Sequence, residues 1–454
     1  MNIVIAGADV VAYRLAEQLM GNHQVICAVP TEAAVESFHR LDVQIVRGPV
    51  TSRSVLEEAR TAEAGAFVAS TDNDEQNIVA CLAAQSMGAA RTICVLQRPG
   101  FFSTEDADAL DMSLGIDQVV RPAEHLADEI IRIVTVPGAL DVELFLDGRV
   151  ELLRYAVEEG AEITQAPLKS LKLPRQVVLI SIRRGDALIV PTGETHIRPG
   201  DKITAMGRRR SIQRLSRTLR RESSEASART AAIVGAGTVG VAVAKGLREA
   251  GWQVKLLESD RDRCERVAAE VDALVLHGDG ADLELLQQER FGESAVAIAV
   301  TNNDEKNLLV SLLAKHLGVR RIVTRADRLS NERMFEKVGV DVVRSAHGAA
   351  IRTIVRSIDE SNSEIRAELE HGEACVIELT LPKGFPAIQL RDLRPPSLAV
   401  VGAIVRARRL MVPAGTDVIR AGDHVLIFCD RANEEKTRDF FMDADAVWRQ
   451  LEGK

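Results

Sequence analysis

The chain has 454 residues, a formal net charge of −9 and 46% hydrophobic residues, values typical of a soluble globular protein with more than one domain. The negative charge and an aromatic content of only 3% argue against nucleic-acid binding. No apolar run approaches the roughly 18 residues of a membrane span, and the N-terminal MNIVIAGADV lacks the basic segment of a signal peptide. The six cysteines are scattered without metal-ligand spacing, so we expect buried thiols in a reducing cytosol.

The first half of the chain begins with a strand, a glycine turn and a helix. Its opening stretch IVIAGADVVAYRLAEQL carries Val11, Leu15 and Leu19 at the spacing of one buried helix face. Strand and helix patterns then alternate, which predicts a Rossmann-like, doubly wound parallel sheet over residues 1–122. Short alternating stretches and Pro-Gly turns follow, and these predict a small α+β domain over residues 138–222.

A basic stretch joins the two halves. Residues 208–230 read RRRSIQRLSRTLRRESSEASART, an arginine-rich sequence capable of forming a helix, followed by a linker rich in Ser, Glu and Ala. We interpret this stretch as a solvated connector, and a charged contact surface is the alternative interpretation.

The second half repeats the first almost from end to end. The stretch AIVGAGTVGVAVAKGL aligns with the opening of the chain, TNNDEKN repeats TDNDEQN, and PAGTDVIRAGDHV repeats PTGETHIRPGDKI. The repeat predicts a second Rossmann-like sheet over residues 229–350 and a second small domain over residues 365–454. The predicted fold is therefore α/β, a tandem duplication of a parallel-sheet domain followed by a small α+β domain.

The second half contains the glycine spacing of a dinucleotide-binding loop. The residues Gly235-Ala236-Gly237-Thr238-Val239-Gly240 follow a predicted strand and open a helix. The first glycine allows the tight turn, the second lets the backbone approach a pyrophosphate, and the third permits close packing of the helix on the sheet. Free N–H groups and the helix dipole favour phosphate at this helix N-terminus.

Glu258 ends the strand that follows this helix. A carboxylate at that position accepts hydrogen bonds from ribose hydroxyls and disfavours a 2′-phosphate, which favours NAD over NADP. We expect Glu258 to lie exposed at the strand end, so that its replacement leaves the fold intact.

Other polar residues of the second half are predicted to lie at the same edge of the sheet. Asp279 follows the third strand, Thr301 and Asn302 follow the fourth, and Arg325 ends the fifth. Ligands of open α/β sheets bind at the carboxyl ends of the strands, where the strand order reverses. We therefore expect these side chains to surround the nucleotide.

The TNNDE loop also has the composition of a helix start. Asn303 or Asp304 is suited to cap the next helix, whose buried face we expect to carry Leu308, Leu312 and Leu313. A cap and a ligand contact can share one loop, so both interpretations stand.

The first half departs from the nucleotide-binding pattern at five positions. Its residues are Asp9 in place of Gly237, Ala12 in place of Gly240, Val29 in place of Glu258, Pro49 in place of Asp279 and Val95 in place of Arg325. The carboxylate of Asp9 would occupy the position of a pyrophosphate, and the side chain of Val29 cannot form a hydrogen bond to a ribose. The first half is therefore predicted to keep the fold but to have lost or altered its nucleotide site.

The order of these motifs resembles the peripheral nucleotide-binding subunits of Trk-type potassium uptake systems, in which each half is an N-terminal and a C-terminal RCK domain. The resemblance covers essentially the whole chain and is carried by GAGTVG, Glu258, HGDG, TNNDEKN and the Pro-x-Gly…Gly-Asp turns. The ligand contacts that it implies are the Gly235–Val239 loop, Glu258, Thr301, Asn302 and Arg325.

The resemblance also implies a function. It implies a protein that is not an enzyme, cytoplasmic and peripheral on the inner face of the cell membrane. Such a chain forms a homo-oligomeric ring, typically a tetramer, docked on an integral-membrane potassium-translocating subunit of the TrkH/TrkG type. The ring gates that subunit in response to NAD or NADH, with ATP and ADP as further ligands.

Two other functions remain open at this point. An RCK-type regulator of another cation transporter would share these motifs. An NAD-dependent oxidoreductase would need a proton-transfer residue facing the nicotinamide, and the histidines favour none: His347 begins a predicted helix and His196 lies in a hairpin-like stretch.

Overall fold

The computed structural model describes residues 1–98, 115–136, 138–145, 149–185, 187–219, 229–362, 365–369, 374–395, 399–407 and 409–452. The chain divides into two compact units. One unit holds residues 1–131 and 229–362, and the other holds residues 132–228 and 363–454. The first unit therefore contains both parallel sheets, and the second contains both small domains.

The first parallel sheet has six strands in the order β3-β2-β1-β4-β5-β6. Its elements are β1 (Asn2–Ala6), α1 (Val10–Leu19), β2 (Gln24–Val29), α2 (Glu32–Phe38), β3 (Gln44–Arg47), α3 (Arg53–Glu58), β4 (Ala66–Ala69), α4 (Asp74–Met87), β5 (Thr92–Val95), β6 (Gln118–Val120) and α5 (Pro122–Thr135). All neighbouring strands run parallel, and the order reverses between β1 and β4. The predicted doubly wound sheet is confirmed.

The second parallel sheet has the same order, β14-β13-β12-β15-β16-β17. Its elements are β12 (Thr230–Val234), α7 (Thr238–Glu249), β13 (Gln253–Glu258), α8 (Arg261–Glu270), β14 (Leu274–His277), α9 (Leu283–Gln288), β15 (Val296–Ala299), α10 (Asp304–His316), β16 (Ile322–Arg325), α11 (Leu329–Lys337), β17 (Val342–Arg344) and α12 (Ala346–Asn362). The tandem duplication predicted from the repeated motifs is confirmed.

Apolar strands and helix faces form the cores of both sheets. The strand β1 is NIVIA, and four of its five residues are buried, as expected where helices cover both faces of a parallel sheet. Val11, Leu15 and Leu19 of α1 are buried, and Val239 and Val243 of α7 occupy the equivalent buried positions. The helical spacing seen in the sequence therefore marks the face that packs on each sheet.

The helix that follows the last strand of each parallel sheet packs on the other half. Ala350, Ile354 and Ile358 of α12 belong to the same buried cluster as Val11 and Leu15 of α1. Conversely, the end of α5 reaches α7, where a Cβ added to Gly246 would lie 2.3 Å from Ile131. The two helices are also tied to each other, because Arg352 Nε donates to Glu129 Oε1 at 3.0 Å.

The small domains are five-stranded antiparallel sheets followed by helices. The first consists of β7 (Ala139–Phe145), β8 (Val150–Ala156), β9 (Val177–Arg184), β10 (Ala187–Ile189), β11 (Lys202–Gly207) and α6 (Arg209–Thr218). The second consists of β18 (Ile365–Leu369), β19 (Ala374–Thr380), β20 (Ile388–Gln389), β21 (Ala399–Arg406), β22 (Arg409–Met411), β23 (Val418–Ile419), β24 (His424–Asp430), α13 (Glu434–Met442) and α14 (Ala444–Glu452). The short strands β20 and β23 pair separately from the main sheet.

The two small domains share an apolar cluster and repeat one ion pair. Phe145 and Met206 of the first domain pack with Phe428 of the second. Arg184 Nη2 lies 2.8 Å from Asp201 Oδ2, and Arg406 and Asp423 form the equivalent pair. The predicted helix in the basic stretch corresponds to α6, whereas the Ser-rich linker lies outside the described residues.

The cysteines are placed as the sequence predicts. All six cysteines are free and buried. Across the part of the chain that the structure describes, no helix combines the length and the hydrophobicity that a membrane crossing requires. The same residues contain no group of three or more His, Cys, Asp or Glu placed to hold a metal ion.

Candidate nucleotide-binding site

The glycine loop of the second half opens the N-terminus of α7. Gly235 has a φ of +104°, in the region that favours glycine, and a Cβ at Gly240 would lie 1.8 Å from the carbonyl oxygen of Gly235. Gly237 is the N-cap residue, no side chain caps the helix there, and a Cβ at Gly237 would meet nothing within 4 Å. Gly235 and Gly240 thus shape the turn, while Gly237 leaves free N–H groups facing open space.

Glu258 is fixed beside this loop. Its Oε2 accepts a hydrogen bond from the N–H of Ala236 at 2.8 Å, and its Oε1 accepts from the N–H of Ser259 at 2.8 Å and of Asp260 at 3.0 Å. Burial raises the pKa of Glu258, but the backbone N–H groups of Asp260, Ala236 and Ser259 and the charge of Arg263 together outweigh burial, and the pKa lies below its usual value. The carboxylate is therefore ionised at neutral pH.

The expectation that Glu258 lies exposed is wrong. Only 7% of its side chain is accessible, because the glycine loop and the start of α8 fold over it. The side chain still faces a cavity, so its structural role is compatible with the predicted ligand contact.

A cavity of about 250 Å³ lies at the carboxyl ends of the strands of the second sheet. Its lining comprises Val234, Gly235, Gly237, Leu257, Glu258, Ser259, Arg263, Gly278, Gly280, Val300, Thr301, Asn302, Asn303 and Lys306. The structure thus brings together Gly235, Gly237, Glu258, Thr301 and Asn302 of the predicted site. Sequence reasoning missed Arg263 and Lys306, two cations on the first turns of α8 and α10.

A larger cavity of about 1000 Å³ extends past Gly237. It is lined by Ala236, Thr238, Val239, Asn302 and Arg325 of the predicted site. It is also lined by residues of α5 from the first half, among them Pro122, Glu124 and Asp128, and by His347. The contribution of α5 could not be predicted from the sequence, because the residue pattern of a helix does not show which half of the chain it packs on.

The repeated phrase TxNDExN has a structural role in both halves. The amide of Asn307 accepts from Thr301 N–H at 2.9 Å and from Thr301 Oγ1 at 2.7 Å, and it donates to the carbonyl of Arg325 at 3.0 Å. In the first half Asn77 makes the same bonds to Thr71 and to the carbonyl of Val95. The phrase ties the ends of two neighbouring strands together, which explains why it persists in both copies.

The phrase also starts the following helix. The side chain of Asn303 accepts from Lys306 N–H at 2.6 Å, so Asn303 and not Asp304 is the cap. Asp304 instead accepts from the N–H groups of Asp327 and Arg328 in the next loop. The expectation that Leu312 is buried is wrong, because Leu312 is 40% exposed on the outer face of α10.

Four polar contacts around the cavities occur only in the second half. Arg325 donates to Asn302 at 2.8 Å and to Asp327, Lys306 lies 2.8 Å from Asp279, and Arg263 lies 3.5 Å from Glu258. In the first half, Val95, Asp72 and Gln97 replace Arg325, Asn302 and Asp327. Gln76 and Pro49 replace Lys306 and Asp279, and Ala34 and Val29 replace Arg263 and Glu258. The charged residues that make these contacts are therefore not shared by the two copies, whereas Thr301 and Asn307, which bond within the fold, are shared as Thr71 and Asn77.

The first half fills the equivalent helix N-terminus with its own carboxylate. Asp9 is the N-cap of α1, and its Oδ1 accepts from Ala12 N–H at 2.8 Å. The hydroxyl of Ser70 donates to both carboxylate oxygens, at 3.0 and 2.9 Å. Burial raises the pKa of Asp9 above its ordinary value, although these two donors oppose that effect.

Comparison with known proteins identifies the family. The TrkA-N domain matches residues 3–122 and 231–346, and the TrkA-C domain matches residues 152–220 and 376–442. The chain belongs to the TrkA family. The family assignment made from the sequence motifs is thereby confirmed.

Relatives of this TrkA-family chain match it over nearly its full length. It is 34% identical to a Trk system potassium uptake protein TrkA homolog of Archaeoglobus fulgidus, over 97% of this chain and 100% of that protein. The GsuK channel matches all of this chain and 79% of its own, with a TM-score of 0.62 and 21% identity. A structure of the GsuK channel bound to NAD gives a TM-score of 0.61 and 18% identity, with the same coverage. These two structures support the tandem RCK fold.

Proposed function

We propose that the chain is the cytoplasmic regulatory subunit of a Trk-type potassium uptake system and that its second half senses NAD or NADH. The contrast between the two helix N-termini carries this proposal. At Gly237 the helix is uncapped and faces an open cavity, whereas at Asp9 a carboxylate occupies the same place. The membership of the TrkA family supports a role in potassium uptake.

The residues around the cavities fit an adenine dinucleotide. The free N–H groups of the loop at Gly237 suit a pyrophosphate, and Glu258 beside them suits the adenosine ribose. The smaller cavity accommodates the adenosine half, and the larger cavity beyond Gly237 leaves room for the second half of a dinucleotide. Because α5 lines the larger cavity, the proposed site is built from both halves of the chain.

Ring assembly is part of the proposal, and α10 and α11 offer a surface for it. Leu309 and Leu312 on α10 and Met334 on α11 are 45%, 40% and 45% exposed, and Val338 follows α11 with 45% exposure. Exposed apolar side chains on neighbouring helices favour contact with another copy of the chain. We propose that these helices join copies into a tetrameric ring that docks on the membrane potassium-translocating subunit.

Titration calorimetry with NAD, NADH, ATP and ADP tests the nucleotide site. We expect one site per chain, and NADP binding weaker than NAD. Two equivalent sites per chain, or no heat with any of the four nucleotides, would contradict the proposal. Potassium uptake by cells that carry the membrane subunit tests the regulatory role, and turnover of NADH with carbonyl substrates would favour the oxidoreductase alternative instead.

A further inference from the structure

The helix α6 has an apolar inner face and an arginine-rich outer face. Ile212 and Leu215 are buried in the core of the first small domain, which fixes the orientation of the helix. Arg210, Arg214 and Arg217 are exposed and follow one another at the spacing of a single helix face. They form one row of positive charge over about 10 Å of the helix surface, which we call the arginine face.

No described residue neutralises the arginine face. None of its three guanidinium groups forms a hydrogen bond or an ion pair with a described residue, and α6, which reads RRSIQRLSRT, contains no acidic residue. Other arginines of the same domain are engaged: Arg184 pairs with Asp201, and Arg208 donates to the carbonyl of Leu410 at 2.7 Å. Because arginine stays ionised at neutral pH, the arginine face presents its full charge to the solvent.

The second half provides an internal comparison, because the same helix recurs as α13. Aligned by the Pro-Gly turns of the two small domains, Ala432, Lys436 and Asp439 stand at the positions of Arg210, Arg214 and Arg217. The buried positions are kept, since Thr437 and Phe441 are buried like Leu215 and Leu219. The row therefore has a formal charge of +3 in the first half and of zero in the second. The helix packs on its sheet in both copies, so packing does not require the arginines.

The composition of the arginine face indicates the class of its partner. A protein partner would bury apolar or aromatic side chains at the centre of the interface, and no large hydrophobic side chain is exposed among the described residues of the first small domain. A phosphate-rich surface needs no such anchor, because arginine binds phosphate oxygens through its paired N–H donors. The net charge of −9 and the aromatic content of 3% argue against nucleic acid, which favours a lipid surface.

We propose that the arginine face binds the anionic phospholipid headgroups of a membrane surface. The inference rests on the proposed function only because a chain docked on a membrane subunit has such headgroups within reach. Each basic side chain close to an anionic membrane strengthens binding about fivefold, so three strengthen it about a hundredfold. The negative charge on the rest of the chain opposes this attraction little, since charges more than about 8 Å away are screened at physiological ionic strength.

Co-sedimentation of the full chain with lipid vesicles tests this inference. Vesicles of phosphatidylcholine with about 30% phosphatidylglycerol should bind the chain, and vesicles of phosphatidylcholine alone should not. Salt at about 0.5 M should release the chain, because the attraction is electrostatic. The triple variant Arg210→Gln, Arg214→Gln, Arg217→Gln should bind the anionic vesicles about a hundredfold more weakly than the wild type.

A second triple variant is the matched control. Lys383, Arg391 and Arg420 are exposed on the second small domain, and replacing each by Gln changes the net charge of the chain by the same amount. This control variant should bind anionic vesicles like the wild type. Both triple variants should keep the unfolding temperature and the NAD affinity of the wild type, because none of the six side chains is buried or lines a cavity.

Other outcomes would overturn the inference. An equal loss of binding in the two triple variants would show that only the net charge matters. Wild-type binding by the arginine variant would place the membrane contact elsewhere. Binding to duplex DNA without binding to anionic vesicles would assign the arginine face to nucleic acid. If the chain binds NAD but no vesicle, the arginine face is a solvated surface and the proposed function stands; if it binds neither, both proposals are contradicted.

Discussion

Gly237→Asp transfers the helix cap of the first half to the second. The backbone of Gly237 has φ −74° and ψ −173°, which any residue adopts, and a Cβ there meets nothing within 4 Å. The new carboxylate can therefore accept from the free N–H groups of α7, as Asp9 does from Ala12 at 2.8 Å. The donor Ser70 has no counterpart, because Val300 stands at its position. The substitution should stabilise the ligand-free protein by about 0.5 kcal/mol, or roughly 1–2 °C.

The same carboxylate should abolish nucleotide binding. It occupies the N–H groups that a pyrophosphate would use, and two unit charges about 4 Å apart repel by about 4 kcal/mol at an effective dielectric constant of about 20. The loss of NAD affinity should therefore exceed about a hundredfold. Stability and affinity thus move in opposite directions, which an unfolded or distorted variant would not reproduce.

Two measurements check this prediction. Thermal unfolding without ligand gives the stability, and titration calorimetry gives the NAD affinity. Gly237→Asn is the matched control, because it caps the helix without adding charge and should lose less affinity. An aspartate variant that binds NAD as tightly as the wild type would refute the placement of the phosphates at this helix.

Three further predictions concern Glu258 and the outer face of α10. Glu258→Ala should weaken the binding of NAD and of ATP by about ten- to a hundredfold, which calorimetry checks. It should also lower the free energy of unfolding by about 1–3 kcal/mol, because three backbone N–H groups lose their acceptor, and thermal unfolding checks this loss. As a control, Val29→Glu in the first half should gain no nucleotide binding. The pKa of Glu258 in the folded protein lies below its unfolded value of about 4.5. The stabilisation by the ionised carboxylate is therefore complete above the unfolded pKa and is lost as the pH falls through the folded pKa. The unfolding temperatures of the wild type and of Glu258→Gln should accordingly converge in acid. Leu312→Asp should dissociate the proposed ring, and light scattering that shows an unchanged mass would contradict this.

Much of the fold could be predicted from the spacing of apolar residues and from the internal repeat of the sequence. Apolar residues recur at helical spacing in α1 and α7, and both copies bury them, because the same sheet lies beneath. The roles of Gly235 and Gly240 were also predictable, since a glycine spacing that opens a helix leaves few alternatives. These features depend on residues near one another in the chain.

Features that depend on distant segments were not predictable in this way. Glu258 is buried because N–H groups from two separate loops converge on it, and no local pattern records such convergence. Arg263 and Lys306 have the composition of solvated first-turn residues, and only their replacement by Ala34 and Gln76 in the other copy sets them apart. Leu312 fits the apolar face of an isolated helix, yet it points outward in the folded chain.

The exchange of α5 and α12 between the halves has a consequence for stoichiometry. In a dimer of identical subunits every substitution is made twice, so both sites keep or lose a ligand together. Here the two halves belong to one chain and can differ in sequence. Asp9 therefore caps one helix N-terminus, while Gly237 leaves the other open. Because each half completes the packing of the other through Ile354 and Ile131, the half that Asp9 fills still supports the half with the open helix N-terminus. Under the proposed function, a single ligand per chain would act on a structure that both halves share.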